Sequence, residues 1–197
     1  MNCLVVIAHP LKESLCRTVA ANAIDTLRAA GHQVVVEDLY ACGFAPSLTP
    51  EERVSYYVHR YSSAALQAEI GRLLAAEGLV LFFPTWWFGF PAILKGWFDR
   101  VWVPGVAYDH ADDLGPIKAR LKGLRKVLAV TSLGAPWWVD RFVMRRPVKR
   151  VLRKAILGAC APAAVFEILS LYKAERLNAD QVQRFARKVE RALVEWK

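Results

Sequence analysis

The chain has 197 residues, 55% hydrophobic and 23% charged, with ordinary glycine and proline content and no repeat or low-complexity tract. That suits one globular domain over residues 1–197, with a sizeable core, and excludes solenoid and disordered classes. The formal net charge is +9, but Arg141, Arg145, Arg146, Lys149, Arg150, Arg153 and Lys154 lie in a stretch with no acid; without them 20 basic residues face 18 acidic ones, so the basicity is local and does not mark a nucleic-acid binder.

The start, Met1 to Pro10, lacks the basic region and small-residue cleavage site of a secretory signal. Cys3 to Ala8 reads instead as a buried strand, and His9 to Glu13 as a loop. Ser14 can cap a helix with Leu15, Val19, Ala23, Ile24 and Leu27 on its apolar face, ended by Gly31. Gln33 to Glu37 is a second strand, and Tyr40 to Glu52 a loop with two prolines. Val54 to Glu77 reads as helix. Leu79 to Phe83 is an apolar run without alternation, the mark of a strand buried on both faces.

Pro84 stops that strand because proline offers no N–H to a ladder. Thr85 to Phe90 is an aromatic loop, and Gly89 is expected to let the chain turn sharply there. Pro91 suits the first turn of a helix with Ile93, Leu94, Trp97, Phe98 and Val101 at helical spacing. The uncharged run from Gly78 to Leu94 falls short of a membrane span and is broken by Pro84, Gly89 and Pro91. Phe98, Val101, Trp102, Val103 and Val106 offer more apolar surface than one helix face can bury, which predicts a two-fold homodimer.

Gly105 to Gly123 reads as irregular. Lys126 to Ser132 is the fourth strand, Gly134 to Trp138 a loop, and Pro147 to Gly158 a helix. In that helix Val148, Val151, Leu152, Ala155 and Ile156 should pack on the sheet, leaving the basic residues on the surface. Ala164 to Leu169 is the fifth strand, and Asn178 to Gln181 a capping box opening the last helix. Cys3, Cys16, Cys42 and Cys160 have neither disulfide nor zinc spacing, so no metal site is expected and reduced thiols in a cytoplasmic protein are the reading.

Alternating strands and helices predict a parallel sheet with helices on both faces, and right-handed crossovers give the order 2-1-3-4-5. In this fold ligands bind outside the carboxyl ends of the strands, between strands 1 and 3. The Trp-Trp-Phe loop would be an exposed apolar patch there unless it binds a flat aromatic ligand or a second subunit; the two are compatible. The helix start at Ser14, with His9 nearby, offers N–H groups to a phosphate. No G-x-G-x-x-G or Walker A sequence is present.

The run Pro84-Thr85-Trp86-Trp87-Phe88-Gly89-Phe90-Pro91-Ala92-Ile93-Leu94-Lys95-Gly96-Trp97-Phe98-Asp99-Arg100-Val101 resembles the flavin-binding segment of the NAD(P)H quinone dehydrogenases of the flavodoxin-like fold. Ala8-His9-Pro10 with Ser14-Leu15-Cys16, and Thr131-Ser132-Leu133-Gly134, are similar to further motifs of that family. The resemblance implies that His9, Ser14, Leu15 and Cys16 hold the phosphate end of a flavin, with Cys16 where many relatives have asparagine. It implies that Pro84, Thr85, Trp86, Trp87 and Phe88 line the ring, and that Thr131, Ser132, Leu133 and Gly134 cover its other edge. Leu133 stands where relatives often have glycine and would lose backbone freedom if φ were positive there. Tyr108 and His110 align with positions that reach into the partner's pocket in this family's dimers and are the catalytic candidates.

The implied activity is two-electron, ping-pong reduction of quinones or similar flat acceptors by NAD(P)H. FAD is the implied cofactor and FMN the alternative. A flavin-binding regulatory subunit of a membrane ion-efflux system and an electron-carrying flavodoxin remain open at this point. For the basic stretch 141–154 the readings are a solvated face, an anionic membrane, an acidic protein, or the 2′-phosphate of NADPH if Arg141 or Arg145 reaches the slot beside Trp137.

Overall fold

A computed structural model describes residues 1–56, 61, 64–110, 115 and 117–196. Five parallel strands form its centre: β1 (Asn2–Ile7), β2 (Gln33–Asp38), β3 (Gly78–Pro84), β6 (Lys126–Leu133) and β7 (Val165–Tyr172). Their order is β2-β1-β3-β6-β7, while β4 (Tyr108–Asp109) and β5 (Lys118–Ala119) form a separate antiparallel pair. This is the expected 2-1-3-4-5 sheet of the flavodoxin-like fold, with the last two strands renumbered.

Among the described residues seven α-helical segments accompany the strands: α1 (Leu15–Ala29), α2 (Pro50–Ser55), α3 (Gln67–Ala75), α4 (Ala92–Val101), α5 (Pro147–Arg150), α6 (Gly158–Cys160) and, after the last strand, α7 (Ala179–Val194). β3 is buried at every position, which is why its sequence does not alternate. Leu79, Leu81 and Phe83 face the layer of α3 and α4, meeting Leu73, Leu94 and Trp97. Val80 and Phe82 face α1 and α7, meeting Val19, Leu27, Val189 and Leu193.

The helix ends follow local chemistry. Ser14 Oγ accepts from the Arg17 N–H at the start of α1. Gly31, at φ +82°, ends that helix, with its own N–H on the Arg28 carbonyl and the His32 N–H on Leu27, a Schellman arrangement. Asn178 and Gln181 form the expected capping box on α7. Gly96 is fixed by close approach, since a Cβ there would come within 2.2 Å of the Pro46 carbonyl oxygen. Beside it Arg100 and Glu52 form an ion pair whose side chains are both 7% exposed.

Several expectations are corrected. The helix expected over Val54 to Glu77 is not continuous. Thr49 and Glu52 form a capping box that starts α2 at Pro50, inside the expected loop, and a separate α3 begins at Gln67. Residues 57–60 and 62–63 of that stretch lie outside the described residues, as do 111–114 and 116 of the region expected to be irregular.

The apolar surface expected to carry a dimer is also absent. Phe98, Val101, Trp102 and Val103 are buried within the chain, and Val106 is half-buried. The chain turns back after α4, with the Val106 and Ala107 N–H groups on the Val103 carbonyl, and Trp102 packs edge-on against Trp97 and Phe98.

The basic segment is helical but in a wider register. Val151–Leu157, between α5 and α6, is π-helical, so Val148, Leu152 and Leu157 are buried at spacings of four and five. Val151 and Ala155, expected inward at α spacing, are exposed. Among the described residues no helix is long and apolar enough to cross a membrane.

Candidate functional site

The carboxyl ends of β1, β3 and β6 deliver three loops to one end of the sheet, and these hold most of the predicted site residues. Thr85 and Thr131 tie two of them together, with their hydroxyl oxygens 2.6 Å apart and the Thr85 N–H on the Ser132 carbonyl at 2.8 Å. Thr85, Trp87 and Phe88 face Leu133, Gly134 and Ala135 across a crevice of about 190 Å³.

The aromatic wall is a tight turn. The Gly89 N–H donates to the Trp86 carbonyl at 2.9 Å, with Trp87 at φ +51° and Phe88 at φ +55°. Positive φ at both central residues defines the type I′ turn, which favours Asn-Gly over aromatic residues. Gly89 itself is not at positive φ, and a Cβ there would sit 3.6 Å from the Trp86 oxygen, an ordinary contact. The expected role of Gly89 in turning the chain therefore passes to Trp87 and Phe88. Trp87 is 100% exposed and Trp86 44%. An indole held in a costly conformation with none of its surface buried is a feature of sites rather than of packing.

Leu133 closes the other wall as the last residue of β6. It is buried and is not at positive φ, so the backbone penalty considered for it does not arise. Gly134 follows, where a Cβ would meet the Glu175 carboxylate at 3.4 Å.

The third loop leads into α1. The first N–H groups of a helix have no partner within it, so those of Leu15 and Cys16 remain for an anion while the Arg17 N–H is taken by Ser14. His9 Nδ1 accepts from the Leu11 N–H at 3.1 Å, which places the ring proton on Nε2. Burial of the ring, followed in the same direction by the charge of Arg17, holds His9 below the ordinary histidine range. The Cys16 side chain turns inward to Val19, Phe82 and Val130, and burial pushes its thiol up to about 12. Cys16 can thus offer its backbone N–H and not its sulfur. This donor set fits a flavin: an apolar slot for a planar ring, with N–H groups for a phosphate on the neighbouring loop.

Tyr108 and His110 are not brought to this crevice. They stack edge-on at 5.3 Å between ring centroids beside the β4–β5 pair, away from the crevice walls. A second cluster escaped the sequence. The Tyr172 hydroxyl donates to Asp140 Oδ2 at 2.9 Å next to the crevice, with Arg146 and Ser170 nearby. Burial, followed by that hydrogen bond, raises the Tyr172 hydroxyl above its ordinary range. Asp140 could have been noticed as the lone acid among 135–166, but nothing local connects it with Tyr172.

The fold and crevice define an open parallel α/β protein with a ligand site at the sheet's switch point. The chain belongs to the Flavodoxin_2 family, of flavodoxin-like fold, whose model matches residues 1–194. It is 34% identical over 150 residues to NAD(P)H dehydrogenase (quinone) 1 of Rattus norvegicus, covering 67% of this chain and 53% of that one. The chain spans about half the length of that relative and of its counterpart in Cavia porcellus. Among solved structures it is similar to the NAD(P)H:quinone oxidoreductase from Methanothermobacter marburgensis, at 25% identity and TM-score 0.81, covering 100% of this chain and 99% of that one. It is also similar to general stress protein 14 of Treponema denticola, solved in complex with FMN, at 25% identity and TM-score 0.64 over 98% of each chain.

Proposed function

We propose that the chain is a flavin-dependent NAD(P)H oxidoreductase that passes two electrons to quinones or similar flat acceptors. The observation that carries this reading is the exposed, strained Trp87-Phe88 turn facing Leu133-Gly134 across a slot, in a chain of this family. The names of the rat and archaeal relatives support the acceptor class. When bound, the flavin supplies the two-electron carrier between NAD(P)H and acceptor.

The chain's own residues bind and orient. His9 Nε2–H and the N–H groups of Leu15 and Cys16 take the phosphate end, with Ser14 holding the helix start open. Pro84, Thr85, Trp86, Trp87 and Phe88 form one wall for the ring and keep water from it; Thr131, Ser132, Leu133 and Gly134 form the other. Backbone N–H groups of these loops that are not bonded within the protein would stabilise the negative charge that gathers on a bound flavin on reduction. Tyr108 and His110 serve the slot of a partner subunit, since they stand away from their own. FAD is the proposed flavin, from the resemblance of the Trp-Phe-Gly motif to FAD-dependent relatives; the FMN bound by the Treponema protein makes FMN the alternative.

The proposal includes a single domain over 1–197, a homodimer and a cytoplasmic location. Exposed Trp137, Trp138, Phe142 and Val143 support the dimer in place of the buried α4 residues. Four free cysteines support the location. The test is to release and weigh the bound cofactor, then follow steady-state NADH and NADPH oxidation with and without a quinone. A colourless protein that takes up neither FAD nor FMN and oxidises neither dinucleotide would end this reading.

A further inference from the structure

Beside the crevice lies a second cavity of about 160 Å³, which shares Thr85 and Leu133 with it. Its other walls include Ser170, Asp140, Arg146, Lys149 and Lys188. Three cations therefore face one carboxylate. That carboxylate is engaged by the Tyr172 hydroxyl at 2.9 Å. Among the described residues, no ion pair joins Arg146, Lys149 or Lys188 to an acid.

Arg146 is the decisive residue. Its Nε is buried and has no hydrogen-bond partner. A buried guanidinium N–H without an acceptor is costly, and such groups are rare unless something else supplies the acceptor. Its backbone is fixed in the left-handed region at φ +51°, directly after Arg145 at φ +56°, by its N–H on the Asp140 carbonyl at 2.7 Å. Two successive residues at positive φ fix where the Arg146 side chain leaves the backbone. Arginine presents its N–H groups as a rigid fork suited to the paired oxygens of an oxyanion.

We propose that this cavity binds an oxyanion group, a carboxylate, sulfonate or phosphate, gripped by Arg146 and Lys149. The shared walls allow two sources: an acidic substituent on the flat molecule in the adjoining crevice, or a free anion. The first source rests on the oxidoreductase reading; the second does not.

Two arms test it on the flavin-loaded protein. Calorimetric titration with inorganic phosphate reads the free anion. The ratio of kcat/KM for 1,2-naphthoquinone-4-sulfonate to that for neutral 1,2-naphthoquinone reads the carried one. Arg146→Gln is expected to weaken phosphate binding, or to lower the sulfonate-to-neutral ratio, by about tenfold, the loss usual for a charge-assisted hydrogen bond. Arg184→Gln, which removes the same charge from an exposed position of α7, should move neither, so a general electrostatic effect is separated from a site. A drop in the ratio identifies the acceptor as the source; a drop in phosphate affinity alone identifies the free anion. Lys149→Gln repeats the test if Arg146→Gln does not fold. Phosphate binding and ratio that both ignore Arg146 and Lys149 would overturn the proposal. Should the protein reduce no quinone, the functional reading fails while the phosphate arm still decides this one.

Discussion

Replacing Trp87 by asparagine should stabilise the cofactor-free protein while weakening its hold on flavin. Trp87 is at φ +51° and 100% exposed. A left-handed conformation costs an ordinary L-residue about 1–2 kcal/mol, and asparagine tolerates it far better. Relief of roughly half that cost leaves a gain of about 0.5–1 kcal/mol, with no lost burial to offset it. For a chain of this size that corresponds to a rise in Tm of roughly 1–4 °C. The flavin loses an aromatic wall; burying one large apolar side chain contributes about 1.5–3 kcal/mol, so affinity should fall roughly tenfold to a hundredfold. Thermal unfolding of stripped protein and fluorescence titration with flavin measure the two effects separately. A lower Tm for the stripped variant would refute the reasoning, because it would mean that Trp87 is buried by something outside its own chain.

Native thiol titration at pH 8 should label Cys42 first, because it alone of the four is exposed, while burial pushes Cys16 up to about 12 and Cys160 up to about 11 and keeps both protonated. Glu52→Gln should destabilise the protein by about 3–5 kcal/mol in urea unfolding, because it leaves the Arg100 charge buried without its partner. Burial raises the Glu52 carboxyl, but hydrogen bonds from Arg100 and the Thr49 N–H outweigh it and hold the group below the ordinary glutamate range. Its stabilisation is therefore fully present above that range and lost as pH falls through the lowered value, and Glu52→Gln should lack this acid limb. The basic stretch predicts sedimentation with anionic vesicles at low salt and release at high salt; replacing Arg150, Arg153 and Lys154 by glutamine should abolish it, and a wild type indifferent to such vesicles would leave a solvated face.

What the sequence made legible was what local patterns determine. β3 and β6 are apolar runs buried on both faces, and the caps at Ser14 and Asn178 use short-range side-chain bonds. The aromatic loop was found because its composition is wrong for a surface. The start of α2 is hard to read because Pro50 after Tyr40–Thr49 looks like loop continuation, although Thr49 and Glu52 carry the capping-box spacing. The buried face of the basic segment departs from the α period because a π-turn adds a residue and moves Val151 outward. The strain of the aromatic turn falls on Trp87 and Phe88 rather than on Gly89, since glycine marks permission for positive φ and not its place. The Asp140–Tyr172 pair, 32 residues apart, exists only once β7 lies beside β6.

The two places where local preference is most openly violated stand on either side of one pair of residues. Trp87-Phe88 and Arg145-Arg146 are each successive non-glycine residues at positive φ. The first pair shares the crevice with Thr85 and Leu133, and Arg146 shares the neighbouring cavity with the same two. Strain of about 1–3 kcal/mol per residue persists only where the surrounding structure over-determines it. Here the over-determination is visible: the Gly89 N–H closes the first turn on Trp86, and the Arg146 N–H closes the second on Asp140. Both closures hang from β3 and β6, paired strands that are buried over most of their length. Packing inside the sheet therefore underwrites strain outside it, and each strained pair presents a side chain that its own chain leaves unmatched: an indole without apolar cover and a guanidinium N–H without an acceptor. A ligand with an aromatic plane and an acidic substituent would match both at once, which is why the sulfonated and neutral quinones form the informative comparison.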